Sequence, residues 1–173
     1  MSKLAAFNLQ GWIDEHRHLL KPPVGNAIVW EDTEFIIMIV GGPNRRNDYH
    51  IDPAEEFFYQ LEGDMILKVM EEDGPRDIPI REGEVLLLPA DVPHSPQRVA
   101  NTVGLVVERR RNAGEIDHLR WYCEGCNQVL HDATLHVENL ATQLTPIIES
   151  FYGDEALRTC RTCQAVLQPP AEV

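Results

Sequence analysis

The sequence predicts a mainly β protein, a sandwich or barrel of short strands with one helix before it and a small cysteine-bearing unit after it. Three observations carry this expectation. From Ala27 to Arg111, short β-rich apolar runs are separated by Gly, Pro and Asp turn signals. Before them lies a segment of helical spacing, and beyond Ala113-Gly114 the composition shifts to an end segment holding all four cysteines. At 173 residues, 43% apolar and 25% charged, the chain supports one proper core with a globular balance. The expected units are therefore residues 1–113 and a C-terminal extension, residues 114–173.

Asn8 to Leu20 places Leu9, Trp12, Ile13, His16 and Leu20 on one helical face, with Asn8 in a capping position. Lys21-Pro22-Pro23-Val24-Gly25-Asn26 ends that helix, because proline lacks the N–H and disfavours helical angles before it. Strand runs follow at Ile28–Trp30, Phe35–Val40, Glu56–Leu61, Met65–Met70, Val85–Leu88 and Val103–Arg109. Gly41-Gly42-Pro43-Asn44, Glu62-Gly63-Asp64, Asp73-Gly74-Pro75 and Glu82-Gly83-Glu84 mark the turns between them. Leu140–Tyr152 has helical character, which Thr145-Pro146 should break or start.

Charge and hydropathy narrow the class. With 28 acidic against 15 basic residues and a net charge of −13, the chain repels phosphate backbones, so nucleic acid is not an expected partner. Arg109-Arg110-Arg111 is too short to reverse that field and is assigned, with Arg45, to solvated surface or surface ion pairs. The longest apolar run, Phe35–Val40, cannot span a bilayer. The N-terminal Met1–Phe7 lacks a secretory signal, which points to the reducing cytoplasm.

Two CxxC pairs, Cys123/Cys126 and Cys160/Cys163, stand 33 residues apart. Each pair can form a tight knuckle, and two facing knuckles place four thiolates on a tetrahedron suited to Zn or Fe. A closed four-thiolate sphere implies a structural rather than catalytic metal.

His50, Glu56 and His94 lie within the β-rich core. Gly42 precedes His50-Ile-Asp-Pro-Ala-Glu-Glu56, six residues lead on to Gly63, and a second block sets Gly83, Pro89 and His94 at fixed steps. This arrangement resembles the two motifs of the cupin family, whose fold is a double-stranded β-helix, a jelly-roll barrel with a metal in its mouth. Asp52 stands where those motifs usually carry a second histidine, Asp91 replaces a glycine and Arg98 an asparagine. Two imidazoles and one carboxylate form the facial set of non-haem Fe(II) oxygenases, leaving positions open for substrate and dioxygen. Asp52 is a rival for the carboxylate position, because His50-x-Asp52 would share one strand face. Glu56 is preferred, since it keeps the step to Gly63 and Asp52-Pro53 looks like a turn.

Arg46 lies four residues before His50 and Arg98 four after His94, so in extended segments each faces the way of its histidine. Two guanidiniums beside a metal imply a substrate carboxylate, which arginine binds in a paired fork. Glu108 follows Leu105-Val106-Val107 on an apolar strand and must be exposed, paired or functional; strand parity leaves the three open.

The segments Lys21–Asn26, Val40–Asn44, Asp48–Gln60 and Leu88–Arg98, with the EEFFYQ and HSPQR blocks and the cysteine pairs, closely resemble the bacterial 3-hydroxyanthranilate 3,4-dioxygenase family. That resemblance implies His50, Glu56 and His94 as Fe(II) ligands, Arg46 and Arg98 as the carboxylate clamp, and Glu108 beside the amino and hydroxyl groups. It implies that Asn26 belongs to a substrate-covering loop. The implied reaction opens an aromatic ring with both atoms of dioxygen, giving 2-amino-3-carboxymuconate semialdehyde, which cyclises to quinolinate. Tryptophan breakdown through the kynurenine pathway toward NAD biosynthesis, or nitroaromatic degradation, would be served. A rubredoxin-like second site, Fe or Zn, and a homodimer are further implications. Another cupin dioxygenase of a hydroxylated aromatic acid, and a non-catalytic cupin that binds metal or a small molecule, are the competing assignments.

Overall fold

A helix opens the chain where the apolar stripe predicts one. In the computed structural model, which describes residues 5–21, 25–138 and 140–170 and only the backbone of 140–142, α1 (Leu9–His16) runs on into a 3-10 turn, Arg17–Leu19. The Asn8 side chain caps it, accepting from the Gly11 N–H at 3.0 Å and satisfying one donor that every helix start leaves open. Pro22–Val24 of the expected loop fall outside the described residues.

Eleven strands follow among the described residues: β1 (Asn26–Ile28), β2 (Phe35–Gly41), β3 (Asp48–Ile51), β4 (Glu56–Glu62), β5 (Met65–Glu71), β6 (Gly74–Ile80), β7 (Val85–Leu88), β8 (His94–Arg98), β9 (Val103–Arg109), β10 (Asp117–Tyr122) and β11 (Val129–Leu135). They form two antiparallel sheets, ordered β1-β2-β9-β4-β7 and β11-β10-β3-β8-β5-β6. Apart from the consecutive pairs β1-β2, β10-β11 and β5-β6, neighbouring strands are non-consecutive, which gives the jelly-roll arrangement, so the mainly β expectation holds. The inward faces meet in one core, with Ile36, Met38, Phe58 and Val106 from the first sheet against Met65, Leu67 and Val69 from the second. α1 and the turn after it cover part of the first sheet's outer face, packing Ile13 and Leu20 on Ile39 and Val103.

Two expectations are corrected. The first strand spans Asn26–Ile28 rather than Ile28–Trp30, because its ladder is registered Asn26↔Val40, Ala27↔Ile39 and Ile28↔Met38. Thr145-Pro146 neither breaks nor starts the C-terminal helix: α2 (Leu140–Gly153) carries Pro146 within it. A proline removes one helical hydrogen bond, and packing of Phe151 on Trp121, ring centroids 4.1 Å apart, offsets the loss. α3 (Glu155–Arg158) then leads to the second cysteine pair. No helix among the described residues is long and apolar enough to cross a membrane.

Candidate metal centre and active site

Strand pairing builds the centre. β3 and β8 join in the register His50↔His94, and Glu56 opens β4, with its side chain facing the same interior. Glu56 Oε2 lies 3.1 Å from His94 Nε2, and Oε1 lies 3.7 Å from His50 Nδ1. Each imidazole is held by its other nitrogen: His50 Nε2 pairs with Asp117 Oδ2 at 2.7 Å, and His94 Nδ1 with the Val92 carbonyl at 3.0 Å. This is how metal-binding histidines are oriented, with a carboxylate or carbonyl accepting the second N–H. The donor atoms of His50, Glu56 and His94 all lie within 4.8 Å of one another, so the set fits a metal ion. Burial works to raise the Glu56 carboxyl, but the charge and hydrogen bond of His94 outweigh it and hold the carboxyl near 2. The same pairing raises His94 against its own burial.

Asp52, the rival carboxylate, does another job. Its Oδ1 accepts from the Ala54 N–H at 2.6 Å, closing the turn before β4, and its Oδ2 lies 2.9 Å from Arg111. Glu108 occupies the inner face of β9, in register with Glu56, and is fully buried. Two carboxylates directly opposite repel, and burial followed by the Glu56 charge raises Glu108 to about 7. Burial and a hydrogen bond to Glu108 raise Asp52 to about 8.

Arg111 is a correction to the surface assignment of the arginine triplet. Its guanidinium is wholly buried, bonding Glu108 Oε2 at 2.8 Å and Asp117 through Nε at 2.8 and 3.0 Å, besides the Asp52 contact. Three carboxylates converge on it because burial without them would be prohibitive. Arg109, by contrast, is a partly exposed ion pair with Glu115, as expected of surface, and Arg45 is exposed. Sequence reasoning assigns Arg111 only a surface role and Asp117 none; the one signal lay in the three-residue step from Glu108, a carboxylate on an apolar strand, to Arg111.

The two expected clamp arginines differ. Arg98 extends inward from β8, 3% exposed, and donates from Nη1 to Gln60 Oε1 at 2.8 Å. Burial lowers it to about 10. Arg46 lies in the loop before β3 rather than on the strand, tied to β8 through Gln97, and its guanidinium pairs with Asp48. Asn26 begins β1 opposite Val40 and shares its inward face. A separate cleft of about 440 Å³ is lined by Arg46, Tyr49, Lys68, Asp77, Tyr122 and Glu124.

The four cysteines come together as expected of two knuckles. Their sulfurs lie within 4.8 Å of one another and form no disulfide. Cys123 Sγ stands 3.4 Å from Cys163 Sγ, and Cys126 Sγ 3.5 Å from Cys160 Sγ. The knuckles repeat one backbone design: Asn127 N–H donates to the Cys123 carbonyl and Gln164 N–H to that of Cys160, both donors at left-handed φ, 57° and 62°.

The family model described as 3-hydroxyanthranilic acid dioxygenase matches residues 1–152. A 3-hydroxyanthranilate 3,4-dioxygenase of Ruegeria pomeroyi is 54% identical, covering 94% of this chain and 91% of that protein. Its namesake in Xanthomonas euvesicatoria is 57% identical over 90% of this chain and 88% of its own length. Among solved structures, a cupin-2 domain protein from Shewanella frigidimarina covers 60% of this chain and all of its own, at 16% identity and a TM-score of 0.47. On the match of the family model and of relatives at more than half identity, the chain belongs to the 3-hydroxyanthranilic acid dioxygenase family.

Proposed function

We propose that this protein is a 3-hydroxyanthranilate 3,4-dioxygenase, which opens the ring of its substrate with dioxygen to give 2-amino-3-carboxymuconate semialdehyde. Within the family, the observation that carries this reading is one interior holding both a two-histidine, one-carboxylate set and a buried arginine whose guanidinium, among the described residues, is bonded only to a neutral amide. Fe(II) held by His50, Glu56 and His94 would supply open coordination positions and electron donation between ring and dioxygen. The protein's own groups do the rest. Asp117 and the Val92 carbonyl fix the imidazoles. Arg98 and Arg46 bind the substrate carboxylate and set the ring's orientation, so geometry selects the bond that opens. Glu108, poised near neutrality, takes the phenol proton or holds the amine. Asn26 belongs to the segment that covers the substrate. We assign the four-cysteine cluster to a structural Fe or Zn, the compartment to the cytoplasm, and the assembly to a homodimer.

The test is anaerobic loading with Fe(II), then addition of 3-hydroxyanthranilate and air while the ultraviolet spectrum and oxygen are recorded. Oxygen loss matched one to one with a conjugated product that fades to quinolinate is expected. Binding without oxygen consumption would favour a non-catalytic module, and turnover only of another hydroxylated aromatic acid would replace the substrate. A Glu108→Gln variant with full turnover and unchanged substrate affinity would remove the role given to Glu108.

A further inference from the structure

Three arginines reach the interior, and their partners differ in one respect. Arg46 faces the carboxylate of Asp48, and Arg111 faces those of Asp52, Glu108 and Asp117. Among the described residues Arg98 faces none: Gln60 Oε1 accepts from its Nη1 at 2.8 Å, and its buried Nε has no hydrogen-bond partner. We infer that Gln60, seated against Gly104, is the specificity-determining positioning residue of the site: a neutral amide there holds the Arg98 guanidinium in place and leaves its charge for the substrate carboxylate. The inference rests on the proposed activity and deepens it.

Gln60 is built for this. It is 1% exposed, and its amide nitrogen donates to the Glu62 carbonyl at 3.0 Å, which turns the amide oxygen toward Arg98. Its backbone is held on both sides, the N–H by the Glu84 carbonyl and the carbonyl by the Gly83 N–H. Across the β4–β9 ladder Gln60 pairs with Gly104. A Cβ at Gly104 would stand 2.7 Å from both Nη1 and Nη2 of Arg98 and 2.9 Å from Gln60 Oε1. Glycine at 104 leaves the space that the guanidinium and the amide occupy together beside β9. His94 and Arg98 share one parity on β8, both buried on its inward face, so a ring held at the metal-ligand set has the Arg98 guanidinium on the same interior side. A buried cation without a counter-ion is costly, and a carboxylate-bearing ligand removes that cost while the decarboxylated ring does not. A glutamate at position 60 would neutralise Arg98 from within and repel the substrate.

The experiment compares wild type with Gln60→Glu, both loaded with Fe(II) and kept free of oxygen, by titration with 3-hydroxyanthranilate and with 2-aminophenol, the same ring without the carboxylate. Gln60→Glu is expected to weaken 3-hydroxyanthranilate binding about 10- to 100-fold and 2-aminophenol less than about twofold. In air, KM for 3-hydroxyanthranilate should rise with kcat little changed, the signature of lost uniform binding. Gly104→Ala, which displaces the guanidinium without adding charge, should show the same selective loss. Unchanged affinity in Gln60→Glu, or equal weakening toward both compounds, overturns the inference, the latter by marking a merely structural role. Wild-type binding without turnover would sink the proposed activity, while the Kd comparison still decides this inference; wild-type binding of neither compound overturns both.

Discussion

Arg111 ties the acid groups of the site into one unit. Its guanidinium bonds Glu108 and Asp117, and Asp117 in turn holds His50, so one side chain connects a metal-facing imidazole to the candidate proton acceptor. Removing one partner of a buried charge cluster is far more damaging than an exposed pair's loss, because the remaining charges stay buried. Arg111→Met is therefore expected to lower unfolding free energy by about 3–5 kcal/mol, measured by urea denaturation; a loss below about 1 kcal/mol would show that the carboxylates relax to solvent. Glu108 gives a pH signature in the metal-free protein. Burial and the Glu56 charge raise it from 4.5 to about 7, so between those values the folded state binds the proton and the unfolded state does not. Its contribution to stability is thus present at low pH and lost as pH rises through about 7. Glu108→Gln stays neutral throughout. Its melting temperature relative to wild type should climb between pH 5 and pH 8, and a difference constant over that range would show that Glu108 is already ionised when folded. Sequence could not expose this group, since Val106 and Val107 before Glu108 are apolar on both parities and Asp52, one of the three carboxylates around Arg111, is distant from the other two along the chain.

Elements were legible in proportion to their apolar content. β2, β4, β5, β7 and β9 match their apolar runs at one or both ends, because one face of each packs in the core. β3 and β8 escaped as strands because they spend their inward positions on His50, His94 and Arg98 rather than on apolar side chains. β6 escaped for another reason: Pro75 and Pro79 are tolerated only because it is an edge strand. The site's motif spacing survived where periodicity failed, since Asp91, replacing a glycine, still adopts the left-handed φ of 63° that the turn before β8 requires. The cysteine knuckles were legible from spacing alone, and their role follows from what they join. Cys123 directly follows β10, and Cys160 follows α3, whose Leu157 packs with Leu167 around Trp121 and Phe151. Exchanging Cys123 and Cys126 for serine should therefore lower the melting temperature by at least about 5 °C while turnover per catalytic metal changes little. Equal stability with abolished turnover would instead give the cluster a positioning or electronic role.

At the scale of the whole molecule, the two outer faces are treated differently. α1 covers the first sheet around Ile39 and Val103, but beyond it an apolar row crosses four strands in register, Ile37, Val107, Phe57 and Leu87, with Val85 and Phe35 alongside. Leu87, Val85 and Phe35 are each more than half exposed, at 57%, 58% and 53%. Contiguous apolar surface of this kind marks an association face, and a net charge of −13 would otherwise keep copies apart. A second copy placed by a twofold axis buries the same row on both sides and closes without leaving a sticky edge. The homodimer proposed above should therefore form through this face, which lies opposite the inward side that carries the metal ligands. Leu87→Glu places a carboxylate in that row without touching the interior. In sedimentation equilibrium it is expected to give the 19.7 kDa chain mass where wild type gives twice that value, with the substrate affinity of each subunit retained. A dimer that persists in Leu87→Glu would move the interface elsewhere, and a monomeric variant that loses substrate affinity would mean that the partner subunit shapes the site.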